Sequence, residues 1–270
     1  MSLFFIFARK KMSVFLFDEI IFGPVKSRRL GVSLGINLLP LDYKYCNFDC
    51  IYCECGRTYK DKFKGKQFHN RSEVKKRLEE VLIKMKAENN PPDVITFAGN
   101  GEPTIHPDFK SIIDDTIDVR NNYFPEARIA VLSNATLIHK KSVFEALNKV
   151  DDNILKLDSA FEETVQFMNN PSANFSLKKL VDNLKTFKGN LIIQTMFLSG
   201  SYKGKSADNT SDSEISAWIE LLKEIKPKQV MIYTVERDTP SENLKKVTPE
   251  KLYAIAEQVK QEGFDVQVSV

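Results

Sequence analysis

Along most of the chain a short apolar run gives way to a stretch with helical spacing, and the pair then repeats. Strands that alternate with helices in this way pair in parallel and are covered by their own crossover helices. Gly31 to Asn37 reads as the first strand, and Ser72 to Lys86 as a helix with Val74, Leu78, Val81, Leu82 and Met85 on one face. Asn70 and Glu73 have the spacing of a capping box for that helix. Val94 to Ala98 is the second strand, stopped by Gly99-Asn100-Gly101. A helix from about Pro107 then leads to the strand Arg128 to Ser133, and a helix near Ser142 to Leu147 to the strand Asn153 to Asp158. Ser176 to Phe187 leads to Leu191 to Leu198, and Ser213 to Ile225 to Gln229 to Val235. A last helix covers about Pro249 to Glu262, and Phe264 to Val270 alternates like an edge strand. The polar stretch Gly200 to Asp212 reads as the most flexible loop.

Six such units predict an α/β fold, a partial (β/α)6 TIM-like barrel of parallel strands with short N- and C-terminal extensions. With 270 residues, 42% of them hydrophobic, the chain can bury a full core as one domain, with its barrel core over about residues 30 to 240. Residues 1–11 read as an extension from an upstream start, because Met12 opens ordinary globular sequence. Their apolar run is too short for a membrane span, and its basic residues follow it, where a signal peptide puts them first. A cytoplasmic location without a membrane is expected. The formal charge of +3 balances 39 basic against 36 acidic residues, so charge gives no support to a nucleic-acid partner.

All four cysteines fall between Cys46 and Cys55. A disulfide framework would spread its thiols to staple distant segments, so packing them into one loop points to a metal in a reducing compartment. Cys46, Cys50 and Cys53 form CxxxCxxC. Three thiolates can bind three irons of a [4Fe–4S] cubane and leave the fourth iron open, whereas an electron-transfer cluster fills all four sites with protein ligands. An open iron can chelate the amino and carboxylate groups of S-adenosylmethionine (SAM) and deliver an electron to its sulfonium. The competing reading is a structural zinc site with Cys55 as fourth ligand. Structural zinc commonly draws ligand pairs from separate segments, and no distant CxxC or HxxxH is present.

This motif, with aromatic Tyr52 before the last cysteine, resembles the signature of the radical SAM enzymes. The resemblance implies that Tyr52 lies against the adenine of SAM, although simple packing also suits it. Gly99-Asn100-Gly101-Glu102-Pro103 resembles the family's glycine–glycine–glutamate motif, which implies that Gly101 and Glu102 receive the amino group of SAM; on its own the run is a generic turn. Ser133-Asn134-Ala135-Thr136 ends the third strand, where polar groups meet SAM or substrate or cap the next helix. On the fourth strand Ile154, Lys156 and Asp158 share one face, so Lys156 and Asp158 are expected inside the barrel near the cluster. Lys156 is the candidate catalytic residue there, a bare ion pair being the alternative. The family's use of polar residues on the fourth and fifth strands implies that Asp158 and Gln194 hold the ribose or carboxylate of SAM. Arg237 after the sixth strand could serve a carboxylate or the acids of its own loop, and His69, His106 and His139 read as loop or capping residues.

Gly23-Pro24-Val25-Lys26-Ser27-Arg28-Arg29-Leu30-Gly31, followed by Ser33-Leu34-Gly35-Ile36-Asn37, is similar to a subgroup near the wybutosine-type tRNA-modifying radical SAM proteins. Those carry further cysteines for a second cluster, and the spare Cys55 cannot build one. The expectation is reductive cleavage of SAM to a 5′-deoxyadenosyl radical that abstracts hydrogen from an unidentified substrate, with a low-potential donor such as flavodoxin or ferredoxin. The alternatives are a tRNA-modifying enzyme, which should show a basic rim, and a non-catalytic Fe–S or zinc protein, which should bind no SAM.

Overall fold

The structure is a computed structural model that describes residues 14–58, 68–236, 239, 241 and 243–270. The extension at residues 1–11 and Arg237 lie outside the described residues. The strands are β1 (Ile21–Ser27), β2 (Gly31–Ile36), β3 (Val94–Phe97), β4 (Arg128–Ser133), β5 (Asp152–Lys156), β6 (Ile192–Tyr202), β7 (Lys205–Ser206), β8 (Gln229–Thr234), β9 (Leu244–Lys246) and β10 (Val266–Ser269). The helices are α1 (Arg71–Ala87), α2 (Phe109–Tyr123), α3 (Lys141–Leu147), α4 (Glu162–Asn169), α5 (Leu177–Lys185), α6 (Asp212–Ile225) and α7 (Pro249–Gln261). β2, β3, β4, β5, β6, β8 and β10 lie side by side in that order, all parallel, and curl into a half-barrel. β1 adds an antiparallel edge to β2.

Period-two alternation sorts each strand between two interiors. Leu34 and Ile36, Ile95 and Phe97, Ile129 and Val131, and Ile193 and Phe197 point outward to the helices, where they join Leu78, Leu82, Ile113 and Trp218 in the main core. The intervening residues point into the barrel. At its N-terminal end Val94, Ala130, Ile154, Ile192 and Met231, one each from β3, β4, β5, β6 and β8, close around Leu30 as an apolar floor. Two residues further along the same strands stand Thr96, Leu132, Lys156, Gln194 and Tyr233. The interior therefore turns from apolar to polar within about 7 Å of strand rise.

Helix starts follow their sequence signals. Ser176, Ser211 and Thr248 cap α5, α6 and α7 by accepting from Lys179 N, Glu214 N and Lys251 N. The expected capping box on α1 does not form: Asn70 takes the N-cap position, but its side chain makes no cap bond. The stretch read as a flexible loop is largely ordered. β6 runs through to Tyr202, folds back into β7 and also pairs with β9. Beyond it Asn209 is buried and clips two strand ends together, its Nδ2 donating to Asp158 O and Met196 O and its Oδ1 accepting from Leu198 N. Among the described residues, no helix is long and apolar enough to cross a membrane.

Candidate functional site

The cysteine loop leaves the C-terminal end of β2 and is stitched to the glycine loop after β3. Tyr45 N donates to Asn100 O at 2.7 Å, and Glu102 N donates to Tyr45 O at 3.1 Å. That approach dictates glycine at position 101: its φ is +142°, and a Cβ there would sit 1.9 Å from Tyr45 O. Asn100 is fully buried and serves the fold, donating to Phe17 O and Pro40 O and accepting from Phe17 N. Asn100 thus ties the segments of Phe17 and Pro40 to the back of the loop.

Glu102 is 2% exposed. One carboxylate oxygen accepts from Thr104 N at 3.1 Å, Thr104 Oγ1 at 2.5 Å and Ser133 Oγ at 2.8 Å, and the other accepts from Asn134 N at 2.7 Å. It caps the short 3-10 turn Pro103–Ile105 and joins that turn to the end of β4. Burial raises its pKa, and these four donors oppose the rise.

Cys46, Cys50 and Cys53 all face one cavity of about 420 Å³. Their sulfurs meet donors from several segments: Phe48 N and Asn134 Nδ2 approach Cys46 Sγ at 3.3 and 3.6 Å, and Asn169 Nδ2 approaches Cys50 Sγ at 3.5 Å. Cys55 directs its thiol to Gly99 O at 3.5 Å. A bond from Cys55 lowers the pKa of Cys53, while the same bond, with burial, raises that of Cys55. Lys44 lies beneath the loop with its side chain 1% exposed, donating to Gly56 O at 3.2 Å and 3.8 Å from Asp49. Burial opposes its charge, but the surrounding thiols of Cys53, Cys46 and Cys50 outweigh burial and raise its pKa. The donor set suits a group carrying several thiolates beside a fixed cation. Among the described residues, no three His, Cys, Asp or Glu side chains converge on a single metal ion.

Tyr52, Gly101, Glu102, Ser133, Asn134, Lys156 and Gln194 line the same cavity, so the residues singled out in the sequence come together there. Asp158 is the exception. It is buried behind the wall, where its carboxylate accepts from Tyr52 Oη, from Asn169 Nδ2 at 2.7 Å and from Met196 N at 3.0 Å. Lys156 Nζ reaches Asp158 at 3.4 Å and Tyr233 Oη at 3.2 Å. Burial works against its charge, but Asp158 and Tyr233 reverse that and raise its pKa. Gln194 Oε1 accepts from Arg29 Nη1 at 3.1 Å. The histidines are structural. His106 Nε2 bonds to His69 O, and its Nδ1 accepts from Asp108 N at the start of α2. His69 bonds to Leu39 O, and His139 bonds to Thr136 O.

Sequence reasoning missed Lys44, Asn47 and Asn169. Lys44 lies two positions before Cys46 but belongs to no motif. Asn47 pairs with Asn134 at 2.7 Å and with Thr136. Asn169 ends α4, a helix that was not read at all, although Asn169-Asn170-Pro171 carried a stop signal, and Asn170 does take the left-handed C-cap conformation.

Known proteins share this architecture. A radical SAM methyltransferase from Sphaerobacter thermophilus superposes over 88% of this chain with a TM-score of 0.65 at 12% identity. The SAM-bound SuiB of Streptococcus suis superposes over 87% with a TM-score of 0.60 at 16% identity. At such identities the likeness concerns the fold, and the chain spans 65% and 50% of those two proteins. A UPF0026 protein of Methanocaldococcus jannaschii is 33% identical over 240 residues, covering 87% of this chain and 68% of the relative. The family model described as Radical SAM superfamily matches residues 42–200, from the cysteine loop to near the end of β6. On sequence and fold together, the chain belongs to the radical SAM superfamily.

Proposed function

We propose that this protein is a radical SAM enzyme whose Cys46, Cys50 and Cys53 hold a [4Fe–4S] cluster and whose cavity takes SAM and a substrate side by side. The observation that carries this reading is that the three cysteines, the Glu102–Ser133–Asn134 cluster, Lys156 and Gln194 all face one cavity at the C-terminal end of the parallel strands. When bound, the cluster and SAM supply the chemistry: one electron from a low-potential donor such as flavodoxin or ferredoxin cleaves SAM into methionine and a 5′-deoxyadenosyl radical that takes hydrogen from the substrate.

The chain's own residues bind, orient and shield. Glu102, held in place by Thr104, Ser133 and Asn134 N, brings a fixed negative charge to the ammonium of SAM, and Gly101 lets the backbone come close. Tyr52 is locked by Asp158 and Asn169 and offers its ring as a wall for the adenine. Asp158 acts through Tyr52 and Lys156, and Gln194 offers its amide to polar groups of SAM. Lys156 stays protonated beside Asp158, so it serves as a fixed cation and hydrogen-bond donor rather than as a base.

The test uses protein purified without oxygen and reconstituted with iron and sulfide. With dithionite it should form 5′-deoxyadenosine and methionine in equal amounts, with about four irons per chain, as a cubane requires. A chain that holds zinc, or a cluster that leaves SAM intact, would overturn the proposal.

A further inference from the structure

We infer that the barrel interior carries a receptor for an anionic group of the substrate, a carboxylate or a phosphate, centred on Arg29; this rests on the reading that a substrate enters the cavity. The turn between β1 and β2 is fixed from two sides. Ser27 Oγ accepts from Arg29 N and Leu30 N, both at 3.2 Å, and Arg29 O accepts from Gln267 Nε2 of β10 at 2.7 Å. The turn therefore bridges the two edges of the half-barrel. Leu30 enters the apolar floor, and Arg29 beside it reaches the polar layer above. There its guanidinium lies 4.5 Å from the centre of the Tyr233 ring and donates to Gln194. Stacking on the ring fixes the plane of the fork.

Neither of those partners carries a charge. The other cations on the cavity wall have their counter-ions: Lys156 has Asp158, Arg28 has Glu236, and Lys44 has Asp49. Among the described residues, no carboxylate pairs with Arg29. A half-buried guanidinium facing a cavity without a counter-ion is costly until an anion enters. Its planar fork suits two oxygens of a carboxylate or phosphate. Lys156 contacts the same ring, at 5.7 Å, so a second positive charge stands near. Arg29 contacts β6 and β8, whereas Glu102, Ser133 and Asn134 belong to the β3 and β4 side. The anion site is thus set apart from the carboxylate that would meet the ammonium of SAM.

The carboxylate of SAM is the other source of such an anion, and the experiment separates the two. Reconstituted holoenzyme is titrated calorimetrically with inorganic phosphate and with acetate, with and without saturating SAM, in the native protein and in Arg29→Gln and Arg29→Lys. At least one probe should bind the native protein whether or not SAM is present. Binding should weaken at least tenfold in Arg29→Gln and recover in part in Arg29→Lys, which keeps the charge without the fork and guards against a folding defect in the glutamine variant. SAM affinity should fall much less than anion affinity, because Arg29 reaches SAM only through Gln194, and iron content should stay within twofold of the native protein. Failure of both probes to bind, or equal binding in Arg29→Gln, would overturn the site. Probes that compete with SAM, with SAM affinity falling as far as anion affinity in Arg29→Gln, would assign Arg29 to SAM instead. SAM cleavage in the same preparations reads the enzyme proposal separately, since the anion site can fail while cleavage persists.

Discussion

At the floor of the barrel Leu30, Val94, Ala130, Ile154, Ile192 and Met231 meet with no polar side chain among them. At the opposite end, above Lys156, Gln194 and Tyr233, the cavity wall sets thiols, amides, hydroxyls and charges among apolar side chains such as Phe48, Leu132 and Met196, and many buried polar atoms there bond to segments distant in sequence. The floor is stabilised by burial, at about 25 cal/mol for each Å² of apolar surface removed from water, and it tolerates exchange among side chains of similar volume. The rim is held by specific directions. Many donors there have a specific acceptor, so removing one such group leaves another stranded at a cost of about 1–3 kcal/mol. Mutations in the two layers should therefore fail in different ways: floor variants lose stability, and rim variants lose ligands.

The largest expected effect is at the rim. Cys46→Ala, Cys50→Ala or Cys53→Ala should abolish cluster assembly, read as the loss of cluster-bound iron and of its visible absorbance. Cys55→Ala should retain both, because Cys55 turns its thiol to Gly99 O. Far-ultraviolet circular dichroism of the iron-free variants should match the native apoprotein, since no floor contact changes. If Cys55→Ala loses the cluster while one of the other three keeps it, the ligand set is misassigned.

The complementary change is Ile154→Ala in the floor, where the side chain is 1% exposed and touches the inner residues of the neighbouring strands. Removing it should cost about 2–5 kcal/mol through lost burial and the cavity left behind. Urea unfolding of the reconstituted protein measures that cost. Iron content and SAM affinity under native conditions should hold, although Lys156 lies only two residues further along β5. Loss of SAM affinity without loss of stability would mean that the two layers are not independent.

The same division governs what could be read from sequence. β4 stands at Arg128–Ser133 as expected, because a run of apolar residues between turn signals records burial on both faces. At the rim, residue type and spacing singled out Cys46, Cys50 and Cys53, and strand alternation put Lys156 and Asp158 inside, of which Lys156 lines the cavity and Asp158 is buried behind its wall. Hidden from sequence were groups that act through long-range bonds. Asn169 meets Cys50 across 119 residues and Asp158 takes the hydroxyl of Tyr52 across 106, and no local periodicity encodes either. β1 was missed because Gly23, Pro24 and Lys26 break any apolar run, and its largely exposed residues carry no apolar alternation. The β6–β7 hairpin was missed for a related reason. Main-chain pairing, rather than apolar side chains, orders Ser199 to Ser206.

Glu102 tests whether a rim residue serves the fold, the ligand or both. Its carboxylate already receives bonds from Thr104, Ser133 and Asn134 N, which favours a purely structural part. Yet burying an ionised group is costly, and a neutral side chain could cap the same turn at lower cost. A charge kept at 2% exposure on a cavity wall is best accounted for by a cationic partner that arrives there, and the ammonium of SAM is such a group. In Glu102→Gln the amide oxygen can take over the Thr104 and Ser133 bonds, but the amide nitrogen then faces Asn134 N as a second donor. Some stability is lost for that reason alone. The charge-assisted bond to SAM should contribute about 1.5–3 kcal/mol, so SAM affinity should fall by roughly one to two orders of magnitude. Iron per chain should remain near the native level, because no sulfur ligand is touched. Formation of 5′-deoxyadenosine should fall at low SAM and recover in part at saturation, as expected when binding rather than the chemical step is weakened. Calorimetric SAM affinity beside the melting temperature decides between the two parts. A lower melting temperature with unchanged affinity would leave Glu102 as a strut between the glycine loop and β4, and the ammonium would have to find its counter-charge elsewhere in the cavity.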